Sequence, residues 1–316
     1  MPPGYQRLSI VGPEAKQRVE SYLGQVFPGY VDTITEALVN DAIRINLRRP
    51  KENRYIQPRD LVEFWIESLP LFYLTPLANP PSIVYLDSHV AVVSKPFGAL
   101  SCPHRGKIQE PSLAGSLVQM GLVANDIGDY IAPGLAHRLD RRTSGMIAIG
   151  RTRRALAGLK KAFATRRVYK EYTAVVWGTP RESGFVNSPI ARDRSRHFAF
   201  KVHKKGRSAY TSYRVVENLK EASVLKVHPR TGRTHQIRVH LASIGYPIVG
   251  DFLYGNESIH DSSAKKRAPM LLHAGGLEFS HPITGRWLQL SVPLEPLFKE
   301  RLEELRTVFA ESAANA

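Results

Sequence analysis

The chain of 316 residues has one cysteine, Cys102, so it can close no internal disulfide and build no cysteine zinc cage. A reducing, cytoplasmic setting is the expectation. Long apolar runs are missing as well. The opening MPPGYQRLSIVGPEAK lacks the continuous apolar core of a secretory signal, and no later stretch approaches the roughly 20 apolar residues that cross a bilayer. No membrane association is expected, and there is neither an internal repeat nor a low-complexity tract. Several motifs are also absent: a Gly-x-x-x-x-Gly-Lys phosphate loop, a Gly-x-Gly-x-x-Gly fingerprint, His-Glu-x-x-His, and the glycine that would precede Ser144 in a nucleophile elbow. Nucleotide hydrolysis, dinucleotide redox chemistry and zinc hydrolysis lose their usual support. Finally, acid is scarce: 28 Asp and Glu face 44 Lys and Arg, a net charge of +16, which suits a partner rich in phosphates.

The basic residues that are present come in clusters: Arg151, Arg153 and Arg154; Lys160 and Lys161; Arg166 and Arg167; Lys204, Lys205 and Arg207; Lys265, Lys266 and Arg267. Clustering favours a nucleic-acid footprint over a diffuse solubilising coat. Residues 1–16 read as an extension and 17–68 as a small domain. In the latter, Val19, Tyr22, Leu23, Val26 and Phe27 recur at helical spacing ahead of Pro28-Gly29, and Thr33 with Glu36 is a capping-box pattern for a second helix. Ile43, Ile45 and Leu47 then alternate like a strand, and DLVEFWI supplies another. Pro70, Pro76, Pro80 and Pro81 resist helix and central strand alike, which places a linker at 69–81 and a second domain at 82–316. There, Ile83 to Leu86 and Val90 to Val93 suggest paired strands around Asp87-Ser88. GMIAIG is a buried strand, RTRRALAGLKKAFA a helix, and VYKEYTAVVWG, AYTSYRVVE and SVLKVHP are further strands. Many strands with few helices between them argue for an α+β fold over a doubly wound sheet.

Two stretches are dense in chemistry. In HRLDRRTSGM, Asp140 stands beside Arg138, Arg141 and Arg142, so its carboxylate can serve as a nucleophile or as half of an ion pair; spacing alone favours the ion pair, and a lone His137 is more often structural than a base. In RTGRTHQIRVHLASIGYPIVGDFLYG, Arg233 and Arg238 can each hold a phosphate or an aspartate. His235 and His240 are five apart, which matches no common metal pair, so no metal is expected.

Taken in order, VVSKPFG, HRLDRRTSG, KEYTAVVWG, GRTHQIRVHL, GYPIVGDFLYG and LLHAGGLEFSHP resemble the blocks of the RluA-type pseudouridine synthases, over nearly all of residues 82–296. The resemblance implies a pseudouridine synthase fold: an α+β catalytic domain with a mixed, mainly antiparallel sheet, preceded here by a small α/β RNA-binding domain. It also implies an isomerase that needs no cofactor. By the same likeness Asp140 is the catalytic aspartate, Arg238 its partner, and Tyr172 the tyrosine that packs on the target base and moves the proton from its carbon. Arg138 is the arginine that fills the gap left by an extruded nucleotide. His137, Arg233, Arg166 and Arg167 are assigned to RNA contact. The target uridine must leave its stack, at a cost of roughly a few kcal/mol that unpaired loops reduce.

The first domain more loosely resembles the RNA-binding module shared with a small-subunit ribosomal protein. It departs where Leu47 follows Asn46 in place of the usual Asn-Gly, which argues against a standard tight turn. That module points to large-subunit ribosomal RNA as substrate, with transfer RNA as the alternative and a monomer as the expected state. A non-catalytic RNA-binding or ribosome-assembly factor is the rival class, and loss of Asp140, Tyr172 or Arg238 would mark it; all three are present. A hydrolase releasing free uracil is a third possibility.

Overall fold

In the computed structural model the described residues are 6–13, 15–26, 38, 42–50, 55–66, 74–104, 107, 109–124, 127–129, 131–196, 198–255 and 269–314. The Thr33–Glu36 pattern, Pro28-Gly29 and the Lys265 to Arg267 cluster lie outside them. The first helix forms at Val19–Val26 with Val19, Tyr22 and Leu23 buried, as the spacing predicts. Gln6–Val11, read from sequence as part of an extension, instead pairs antiparallel with Leu61–Ile66, which also pairs with Ile43–Ile45. This three-stranded sheet therefore takes in residues ahead of 17.

The turn at Asn46-Leu47 also differs from expectation, because it is tight. Ile45 and Arg48 exchange both backbone hydrogen bonds, at 2.8 and 3.0 Å, across two residues with φ of +52° and +66°. Positive φ at both central positions is the primed hairpin geometry. Asn46 adopts it readily and is tied to its neighbours: its amide nitrogen donates to Asp60 Oδ1 and its Oδ1 accepts from Leu61 N–H, both at 2.8 Å. Leu47 adopts it against its own Cβ sterics.

From Ser82 onward the chain builds a nine-stranded sheet. Its strands run in the order Ser183–Asn187, Tyr210–Leu219, Ala222–Pro229, Tyr169–Trp177, Leu272–Ser280, Ser144–Gly150, Val90–Lys95 and Ser82–Leu86, with Trp287–Ser291 paired to Leu272–Ser280. Every pairing is antiparallel except the short parallel contact of Ser144 and Gly145 with His273 and Ala274, so the sheet is mixed and mainly antiparallel. At that seam Gly145 has φ +113°, and a Cβ there would lie 2.3 Å from the Ala274 carbonyl oxygen, so only glycine fits. The helix Arg153–Ala164 starts on the Thr152 cap, whose hydroxyl accepts from Ala155 N–H, and buries Ala155, Leu156 and Leu159 against the sheet. The proline-rich stretch carries neither helix nor strand in its described part. It is nonetheless anchored, with Leu74 buried among Leu113, Leu117 and Ala91, and Thr75 accepting from Ser112 N–H at 3.0 Å.

Candidate active site

HRLDRR runs irregularly into the seam strand. Leu139 packs into the core and also borders the cavity that Arg138 and Asp140 on either side of it line. Local bonds hold this segment. Ser101 Oγ donates to Leu139 O at 2.7 Å and accepts from Leu139 N–H at 3.1 Å, and Thr143 N–H donates to Asp140 O at 3.0 Å. Beneath it, fully buried Lys95 donates to the carbonyls of Ala99, Pro96 and Arg141 at 2.9, 3.0 and 3.3 Å. Burial pushes the Lys95 ammonium down to about 7 against the pull of Glu295 and Asp140.

The cavity has a volume of about 150 Å³, against the roughly 10–15 Å³ that one water needs. It lies where the strands Tyr169–Trp177 and Ala222–Pro229 meet the helix Gln236–Ser243. Asp140, Tyr172, Arg238, Arg138, Lys170 and Arg233 share it. Arg238, in the first turn of the helix and buried, is the organising group. Its Nε and Nη2 donate to Asp251 Oδ2 and Oδ1 at 2.6 and 2.9 Å, and its Nη1 donates to Asp140 Oδ2 at 3.2 Å. Burial works against its charge, but the two carboxylates, Asp251 before Asp140, more than offset it and raise its pKa. Asp251 in turn accepts from Leu253 and Tyr254 N–H at 3.1 and 3.3 Å. Gly250 before it has φ +78°, with Pro269 O where a Cβ would need to be. Arg142 clamps the two loops together. Its Nη2 donates to Gly250 O at 3.2 Å, and its guanidinium lies 3.6 Å from the Phe252 ring centroid.

His235 precedes the helix in the left-handed region, φ +57°, with Nε2 3.8 Å from Asp140 Oδ2. The Tyr254 hydroxyl oxygen accepts from Phe200 N–H at 2.9 Å and shares a hydrogen bond with His235 Nδ1 at 2.7 Å. Burial, the largest influence, lowers the pKa of His235 and favours the neutral imidazole. Tyr172 sits beside a register shift between Glu171 and Thr173, a bulge of the kind that re-aims side chains at sites. Burial and the Asp140 charge raise its phenol well above the ordinary range, and burial brings neighbouring Lys170 down to about 8.

Of the residues singled out from sequence, the structure brings Asp140, Tyr172, Arg238, Arg138 and Arg233 together. Arg166 and Arg167 are exposed and do not line the cavity; Arg166 lies near enough to Arg233 to help lower its pKa, after burial and Arg207. His137 does not line the cavity: its Nε2 accepts from Ala148 N–H at 3.0 Å and its ring stacks on Phe163 at 4.3 Å, so it braces the seam strand. Burial, with a smaller contribution from Lys170, takes it down to about 3. Asp251, Tyr254 and Lys170 escaped the sequence reading, which weighed His235 only as a metal ligand. The signal available for Asp251 was a lone acid after a glycine in a basic stretch. Among the described residues no group of His, Cys, Asp and Glu is arranged to hold a metal, and no helix is long and apolar enough to cross a membrane.

Residues 89–243 match the family model of RNA pseudouridylate synthases. The RNA pseudouridine synthase YlyB of Bacillus subtilis is 32% identical over 302 residues, covering 93% of this chain and 95% of that protein. The ribosomal large subunit pseudouridine synthase D of Zymomonas mobilis is 36% identical over 212 residues, 66% of this chain and 67% of that one. Among solved structures, human RNA Pseudouridylate Synthase Domain Containing 4 superposes with a TM-score of 0.55 at 25% identity, covering 71% of this chain and 92% of that chain.

Proposed function

The chain belongs to the RNA pseudouridine synthase family and is an isomerase; on that premise we propose that it converts uridines of large-subunit ribosomal RNA to pseudouridine, with Asp140 as the catalytic carboxylate. The observation that carries this reading is Asp140 Oδ2 held 3.2 Å from Arg238 Nη1 in the cavity that Tyr172 also lines. Isomerisation breaks the bond from the base nitrogen to the ribose, turns the uracil and joins carbon 5 to the same sugar carbon. Carbon 5 gives up its hydrogen and the freed nitrogen takes one, so nothing is oxidised or hydrolysed.

Asp140 meets the developing glycosyl or uracil electrophile, Arg238 fixes its direction, and the cavity retains the loose base. The neutral phenol of Tyr172 supports packing on the base over service as a base catalyst. Arg138, exposed at the mouth, suits the gap left by the extruded nucleotide, and Arg233 suits a flanking phosphate. The ribosomal target rests on the small amino-terminal domain and on the name of the Zymomonas relative.

Asp140→Asn should abolish pseudouridine formation and leave RNA affinity within about twofold, since it removes one carboxylate charge among many phosphate contacts. Continued turnover in that variant would overturn the assignment of the site. Pseudouridine mapping of total RNA with and without the protein should lose a signal in large-subunit ribosomal RNA. A loss confined to transfer RNA would overturn the ribosomal target.

A further inference from the structure

The sheet has a second face, turned away from the cavity. Its lower half is covered by the helix Pro296–Ala314, which packs Phe298, Leu302 and Leu305 on Val175 and Val224. The upper half is open to solvent and carries rings. Phe185 on the edge strand is 64% exposed and stacks on Tyr210, with centroids 5.7 Å apart and planes at 13°; the Arg230 guanidinium lies 5.1 Å from the Tyr210 ring. One strand further in, Tyr169 and His228 form a second ring pair at 5.0 Å, and the carboxylate beside them, Glu171, is answered by Lys226 at 2.5 Å.

An exposed phenyl ring on an edge strand invites unwanted strand pairing, and proteins usually blunt such edges with charge. Here the ring extends a stack that begins with a cation. This stack reaches the cavity through one residue. Gln236 Nε2 donates to Tyr210 O and Thr211 Oγ1 at 2.9 Å, while its Oε1 accepts from Thr231 Oγ1 at 2.6 Å and from Arg233 N–H at 3.1 Å. Thr231 and Arg233 line the cavity, so Tyr210 and the rim of the site are fixed to each other.

We propose that Phe185, Tyr210 and Arg230 form a stacking platform for an unpaired base several nucleotides along the RNA strand from the one in the cavity. This rests on RNA being the substrate. The strand passes over the rim at Thr231 to Arg233, its phosphates meet Arg233 and Arg230, and a base lies on the free face of Phe185. Any base has a π face, so the platform selects for unpaired structure and not for sequence. Base pairs, whose faces are already stacked, gain nothing from it.

The test measures binding of the full chain to a fluorescein-labelled single-stranded oligouridylate and to a fully paired duplex of the same length. Phe185→Ala should bind the single strand about tenfold more weakly, the scale of one lost base stack, and the duplex as the wild type does. Phe185→Trp should restore single-strand binding. An unchanged melting temperature shows that Phe185→Ala is folded. Equal single-strand affinity of Phe185→Ala and wild type, an equal loss on both probes, or no wild-type binding to the single strand overturns the platform. Wild-type binding with the expected Phe185→Ala loss, but without pseudouridine formation, would instead overturn the reading of the cavity and leave the platform in place.

Discussion

Replacing Asp251 with asparagine tests whether Arg238 is held in place independently of Asp140. Asp251 is 1% exposed and takes two bonds from the guanidinium, against one for Asp140. In Asp251→Asn the Oδ1 can still accept from Arg238 Nη2 and from the amides of Leu253 and Tyr254. The new amide nitrogen must then face Arg238 Nε, donor against donor, at a present separation of 2.6 Å. Removing one partner of a buried pair costs about 3–5 kcal/mol. The retained acceptor places this variant near the lower end, about 3 kcal/mol. For a domain of this size that is a fall in melting temperature of roughly 6–12 °C.

Activity should fall further than stability suggests. The guanidinium, with one anion left, swings toward Asp140 and moves the carboxylate, and a displacement of about 1 Å costs on the order of a hundredfold in rate. Thermal melting together with release of tritium from carbon 5 of labelled uridine in RNA reads both effects. A variant that melts within about 1 °C of wild type and turns over at the wild-type rate would refute the argument that Asp251 positions Arg238.

Two further outcomes concern residues that do not line the cavity. His137 takes a proton near pH 6.5 when unfolded and not until about pH 3 when folded, so the unfolded state binds more protons in that window. Stability should then decline by up to about 1.4 kcal/mol per pH unit as the pH falls below 6.5; His137→Gln should show a shallower slope in urea unfolding between pH 6.5 and 4, and an identical slope would remove His137 as the cause. Leu47 occupies the left-handed region at 67% exposure, so it is strained and buries little. Leu47→Gly should stabilise the small domain by up to about 1 kcal/mol, the steric relief less the added chain entropy; slower amide exchange at Ile45 and Arg48 would show it, and faster exchange would contradict it.

The chain's local pattern determined a good deal by itself. Alternating apolar residues set the strands at Tyr169–Trp177, Tyr210–Leu219 and Ala222–Pro229, and the spacing of Leu156 and Leu159 set a helix face, because both periodicities are properties of neighbouring residues. The order of short blocks around Asp140 pointed to Tyr172 and Arg238 as its companions. Tertiary structure decided the rest. Asp251 is thirteen residues from Arg238, and only the turn at Gly250 and the Arg142 clamp aim it back at the helix. His137, three residues from Asp140, reads like a site residue until the chain's path turns its ring under Phe163. Leu47 shows the same limit in the opposite direction: side-chain bonds from Asn46 to Asp60 and Leu61, fourteen and fifteen residues away, hold a turn that its own sequence disfavours. Periodicity reports which face a residue occupies, whereas a site depends on which faces are brought together, and that is settled by packing between distant segments.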